Sequence, residues 1–123
     1  MARAAVLCVL GAAALSGCSD PSDVALSRVT PAREMVTVEG IEFVTELRRG
    51  PPGQRLTPMG AVPTQGLGVV VWRADEAPLS NAEGRIAKAA AVKGCDASGG
   101  VYNREAIGRY EGAGVWVFDG VCT

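Results

Sequence analysis

Four cysteines, at positions 8, 18, 95 and 122, are the most nucleophilic side chains of a 123-residue chain that contains no histidine. Without imidazole, the usual general base near neutral pH and the commonest metal ligand are both missing. Hydrolases of the Ser-His-Asp or Cys-His type are thereby excluded, as are zinc sites built on histidine. Glu42 and Glu46 share one face of a strand-like segment and could pair as acid and base, but Val44 lies between them and Arg48 follows, the pattern of a solvated outer face. Asp75, Glu76 and Asp96 fall in loops without the regularly spaced oxygen ligands that calcium requires, so no metal is expected. A Ser-Lys dyad is the one nucleophilic device left, yet Ser80 suits a helix cap better and Lys88 lies two turns further on. Gly66-Leu67-Gly68 lacks the third glycine of a phosphate loop and leads into a strand. No catalytic residue and no dissociable cofactor are expected.

Charge narrows the partners. Twelve Lys or Arg face thirteen Asp or Glu, a net charge of -1, whereas phosphate binding needs a concentrated positive surplus. Nucleic acid is not an expected partner.

Cys18 is different, because of what precedes it. Met1-Ala2-Arg3 is a short positive segment, Ala4 to Leu15 is an uncharged apolar run, and Leu15-Ser16-Gly17-Cys18 closes it. The run is too short for a spanning helix, which takes about 20 apolar residues, and has the form of a secretory signal. The ending resembles the lipobox of bacterial lipoproteins: a branched aliphatic residue, two small residues, then the cysteine. That resemblance covers the first 18 residues and implies a diacylglyceryl group on the Cys18 thiol, cleavage after Gly17 and an N-acyl chain on the new terminus. It also implies a membrane anchor on the periplasmic face. Ser19 favours the outer membrane over the inner, since an aspartate there would be the retention signal and Asp20 comes one position late. Cys8 lies in the discarded part.

The elements that must position everything else follow from Cys18 onward. Residues 18–34, rich in Ser, Pro and Asp, read as the lipidated terminus and a flexible tether, leaving 35–123 as one small domain. Val36 and Val38, a Glu39-Gly40 turn, then Ile41, Phe43, Thr45 and Leu47 on one face predict a hairpin with one buried side. Arg49 to Gly66, with Pro51, Pro52, Pro58 and Pro63, is expected to be a long loop, neither helix nor central strand. Leu67 to Trp72 predicts a strand covered on both faces. Ser80 and Glu83 form a capping box for a helix to about Lys93, with Gly94 as its stop and Ala82, Ile86, Ala89 and Ala90 as its inner face. Strands near 101–110 and 115–118, joined at Glu111-Gly112-Ala113-Gly114, complete an α+β domain: an antiparallel sheet of four to five strands with one helix packed on it.

Once Cys18 is lipidated, Cys95 and Cys122 remain, and an exported pair reads as a disulfide stapling helix end to sheet end. Trp116 lies on a strand apolar on both faces, so core packing and an exposed recognition patch are both readings of it. Arg49 and Arg55, beside Gln54 and the Pro51-Pro52-Gly53 turn, are the candidate recognition residues of the loop. The leading expectation is a lipid-anchored, non-enzymatic binding or support module that meets an envelope protein through Arg49, Arg55 and Trp116. The alternatives are a small envelope enzyme using Glu42 and Glu46, or an inhibitor offering Arg49 to Leu56 as bait.

Overall fold

A computed structural model describes residues 29–123; the expected signal segment 1–17, the expected lipidation site Cys18 and the expected tether as far as residue 28 lie outside the described residues. Five strands form one antiparallel sheet: β1 (Arg33–Val38), β2 (Ile41–Arg48), β5 (Leu67–Arg73), β6 (Arg109–Gly112) and β7 (Val115–Cys122), in the order β1-β2-β5-β7-β6. A second, two-stranded sheet pairs β3 (Gly53–Thr57) with β4 (Gly60–Thr64). One helix, α1 (Gly84–Ala97), packs on the large sheet, and the fold is α+β.

Alternation decides which side of the sheet the helix covers. Val36 faces Phe43 across the first ladder, Thr45 faces Val71, Leu47 faces Val69, and Val69 faces Phe118, so these side chains share one face and form the core. The expected hairpin is present in this register, and its Glu39-Gly40 turn has both residues at positive φ, as a two-residue connection of right-twisted strands demands. β5, the middle strand, is buried from Leu67 through Val71, as its unbroken apolar run requires. On the outer face Arg33 spans Glu46 at 2.9 Å and lies 5.3 Å above the Trp72 ring, while Val70 and Val117 are buried side by side.

The helix starts as expected and stops elsewhere. Glu83 Oε1 accepts from the Ser80 amide at 2.8 Å, closing a 3-10 turn (Asn81–Glu83) that leads into α1. Gly94 is not the stop: it is buried inside the helix, where a Cβ would meet Thr45 of β2, Cβ to Cβ at 2.6 Å. The chain turns instead at Gly99, at φ +81°, whose amide donates to the Asp96 carbonyl at 3.0 Å. Cys95 therefore sits within the last turn rather than after it. The helix's buried side is Ile86, Ala87, Ala90 and Ala91, with Ala89 half-buried; Ala82, expected there, is exposed because it precedes the α-helical turns.

Three further expectations are corrected. Residues 49–66 are not a loop throughout: β3 and β4 pair from Gly53↔Thr64 to Thr57↔Gly60. Proline is admitted because β4 pairs with β3 alone among the described strands, so Pro63 opposite Gln54 needs no second partner, and Pro58 occupies the turn. The expected strand over 101–110 is regular only from Arg109; before it the chain makes single bridges, Tyr102↔Cys122 and Ala106↔Arg55. The segment read as tether up to residue 34 already belongs to the fold at its end, since Val29 is buried in the core and Arg33 opens β1.

Candidate functional site

The hairpin β3–β4 is pressed onto the sheet by two glycines. At Gly53 a Cβ would lie 2.6 Å from Thr64 Oγ1 and 2.7 Å from the Asp119 carbonyl carbon, and at Gly120 (φ +62°) it would meet the Thr64 carbonyl oxygen at 2.5 Å. Backbone therefore touches backbone where β3 crosses β7, and only glycine permits it. Beyond the crossing, Ile107 N donates to Gln54 O at 2.8 Å, and Arg55 bridges Ala106. A cleft of about 470 Å³ opens between Pro51, Pro52 and Gln54 on one side and Ile107, Arg109 and Asp119 on the other. Its cation is held from within: Arg109 Nε donates to Asp119 at 2.9 Å, and its Nη1 to Glu111. A second, smaller groove of about 250 Å³ is lined by Arg49, Gly50, Pro52 and Gln65.

The candidate residues separate into two places. Arg49 is exposed beside that smaller groove, and Arg55 is half-exposed on β3, 3.3 Å from Glu105. Trp116 is not with them. It lies on the core side of β7 beneath the start of α1, where Gly84 approaches its ring and a Cβ would come within 2.8 Å of Cη2. Its Nε1 donates to the Ser80 carbonyl at 3.0 Å, and its ring packs on Tyr110 and Phe118 at centroid distances of 5.8 and 6.0 Å. Of the two readings of Trp116, packing is the one its surroundings match. Comparison with protein-family models, with curated proteins and with solved structures finds no match.

The residues weighed for catalysis are dispersed. Glu42 and Glu46 are four positions apart on one strand, their Cα atoms about 13 Å apart at about 3.3 Å per residue, with Val44 between them on the same face. Glu46 is engaged by Arg33. Lys88 Nζ donates to the Arg104 carbonyl, and Ser80 serves the capping turn, so the dyad is not assembled. Among the described residues no three His, Cys, Asp or Glu side chains group as metal ligands would, and no helix is long and apolar enough to cross a membrane.

Cys95 and Cys122 are bonded, with Cα atoms 5.8 Å apart, and both are buried. Gly100 lies against the bond so closely that a Cβ there would meet the Cys95 sulfur at 2.9 Å and Val29 Cγ2 at 3.0 Å. The Tyr102 hydroxyl is buried and has no hydrogen-bond partner among the described residues, and burial pushes its pKa up. Nothing in the sequence pointed to Gly53, Gly100 or Gly120 as contact glycines: Gly53 ends a Pro-Pro-Gly turn signature and Gly100 follows another glycine, and a turn glycine looks the same in sequence as one that lets two backbones touch.

Proposed function

We propose that the chain is a bacterial lipoprotein, anchored through acyl chains on Cys18 at the periplasmic face of the outer membrane, whose domain is a non-enzymatic binding or support module of the envelope. The observation that carries this reading is Leu15-Ser16-Gly17-Cys18 at the end of an uncharged apolar run. Two or three acyl chains give stable anchoring where one is marginal. The pairing of Glu46 with Arg33 and the engagement of Lys88 by a carbonyl support a binding role over an enzymatic one. Arg49 and Arg55, on the segment between β2 and β5, are the residues proposed to meet the envelope component.

The test is expression of the full chain with a C-terminal tag in a diderm bacterium, with intact mass measured on the membrane fraction and partners identified after crosslinking. The expected result is a chain beginning at acylated Cys18 and a component whose recovery falls when Arg49 and Arg55 are both replaced by alanine. A chain that keeps residues 1–17, or carries no acyl mass, removes the anchor. Undiminished recovery in the double variant removes the two arginines.

A further inference from the structure

Three of the five large exposed apolar side chains among the described residues lie at one end of the domain. β2 ends and β5 begins there (Arg48 faces Gly68), Leu67 faces Cys122, and Leu47 N bonds to Ala32 O at 2.8 Å, so the chain leading in from Val29 enters at the same end. Val101 N bonds to Thr123 O at 2.8 Å and lies there too. The hairpin points the same way. After a turn at Asn103–Ala106, entered from Asn103 bonded to Val121, residues 106 to 109 run back along β7 to Arg109 opposite Val117, and β3 runs antiparallel to them at Arg55↔Ala106. β3 thus descends alongside β7 towards Cys122, and its turn, Pro58-Met59, lies at that end. Met59 is 95% exposed, Val101 71% and Leu56 68%; of the large exposed apolar residues among those described, only Met35 lies on the sheet's outer face instead and Ile107 higher beside β3.

Charge is divided along the same axis. Residues 49–66 contain Arg49 and Arg55 and no acidic residue; around them at this end Arg33, Arg48 and Arg104 stand against Glu34, Asp96, the Glu46 that pairs with Arg33 and the Glu105 that faces Arg55. The opposite end carries Glu39, Asp75, Glu76 and Glu83, with Arg85 and Arg73 paired to Glu39 and Asp75. The basic segment 49–66, with its exposed Leu56 and Met59, therefore lies at the end where the chain enters from Val29. Cys18 precedes Val29 by eleven positions, which span at most about 40 Å when fully extended.

We infer that the β3–β4 turn is a second membrane contact: Leu56 and Met59 enter the interface of the bilayer that holds Cys18, and Arg49 and Arg55 meet the phosphates of anionic lipid. This deepens the reading given above and rests on it, naming the envelope component at Arg49 and Arg55 as the lipid surface itself. An apolar turn flanked by cations suits the headgroup boundary, where apolar groups sink about 5–10 Å and basic groups stay with the phosphates. An anchor that enters at this end lets the turn reach that surface, with the acidic end on the far side.

The experiment uses the full-chain lipoprotein, purified from membranes and reconstituted into vesicles of phosphatidylethanolamine and phosphatidylglycerol brominated high on the acyl chains. Met59→Trp places an indole at the turn and Ala77→Trp one at the opposite end; both positions are exposed, and the emission of Trp72 and Trp116 is subtracted with the wild type. The expected result is that bromine removes about half the emission of the turn indole and little from the indole at the opposite end. The turn emission is expected to recover when Arg49 and Arg55 are both changed to glutamate. An acylated protein whose turn indole is no more quenched than the opposite one overturns the membrane contact while leaving the anchor standing, and is the result expected if a protein partner covers the turn. A purified chain without acyl mass at Cys18 overturns the anchor, and the membrane contact with it.

Discussion

Asp75 shows how much a single side chain's environment departs from its place in the chain. In sequence it is half of an acidic pair in a loop; in the fold its two oxygens accept from Arg73 Nε at 3.0 Å and Nη2 at 2.6 Å, and one also accepts from the Ala77 amide at 3.0 Å. The Arg73 bond, then the amide, hold its pKa down, from an ordinary value of 3.8 to about 2. A depressed carboxylate pKa means the folded form binds the proton less readily than the unfolded one, so its contribution to stability is present above about pH 4 and disappears as the pH falls through about 2. Asp75→Asn is therefore expected to lower Tm at pH 6 and to converge with the wild type by about pH 2. Thermal melts across that range, with the Asp75 carboxyl titration followed by NMR, check it; a carboxyl titrating near 4 contradicts the assignment. Because the group is exposed, the difference at pH 6 is expected to be small.

Among the elements, the helix and the sheet beneath it are matched by small residues. Ala87, Ala90 and Ala91 let α1 lie close, and Gly94 lets it touch Thr45, which is fully buried and donates to the Glu34 carbonyl at 3.2 Å. A glycine inside a helix costs about 1 kcal/mol relative to alanine, so by propensity alone Gly94→Ala would stabilise. Here the added methyl has no room, and overpacking of a closed core costs about 1–3 kcal/mol. The expected outcome is a net loss of about 1–2 kcal/mol on urea unfolding with an unchanged m-value. A stabilised Gly94→Ala protein would show that helix and sheet are not in this contact. Gly94 was legible as a special position from its type, but its role was not, because a helix-ending glycine and a close-contact glycine look alike in one sequence. Gly99 is the residue at positive φ.

At the scale of the whole molecule, the Cys95–Cys122 bond joins the last turn of α1 to the end of β7 across a separation of 27 residues. Closing such a loop stabilises by about 3–4 kcal/mol on a chain-entropy estimate, against a total of about 5–15 kcal/mol for a domain of this kind. Replacing both cysteines by alanine is expected to remove that amount, read as a lower guanidinium midpoint, and reducing agent is expected to do the same to the wild type and nothing further to the variant. Equal midpoints with and without reductant would show that the bond contributes nothing. The same bond lies at the end of the sheet where Val29, Val101 and the roots of the β3–β4 hairpin converge, so its loss is expected to loosen that end first.

What the amino-acid order determined by itself is local. Period-two alternation over 36–47 specifies the first hairpin and its buried face, the apolar run 67–72 a central strand, and Ser80 with Glu83 the start of the helix, because each depends on neighbours a few residues away. The disulfide was legible too, by count, once Cys18 was set aside. Tertiary structure alone decided the rest. Within residues 49–66, Gly53–Thr57 and Gly60–Thr64 fold as strands because Gly53 and Gly120 allow backbone contact and residues 106–107 supply a partner some fifty positions away. Trp116 became a packing residue because Gly84 lies over it, and Val29 a core residue because Gly100 leaves room beside the disulfide. Arg49 and Arg55 stand out by charge in the sequence, but their place at the end where the chain enters follows from strand direction. Contacts of this kind are made between segments distant in sequence, and they are selected by the free energy of burying both surfaces together, which no short window of residues contains.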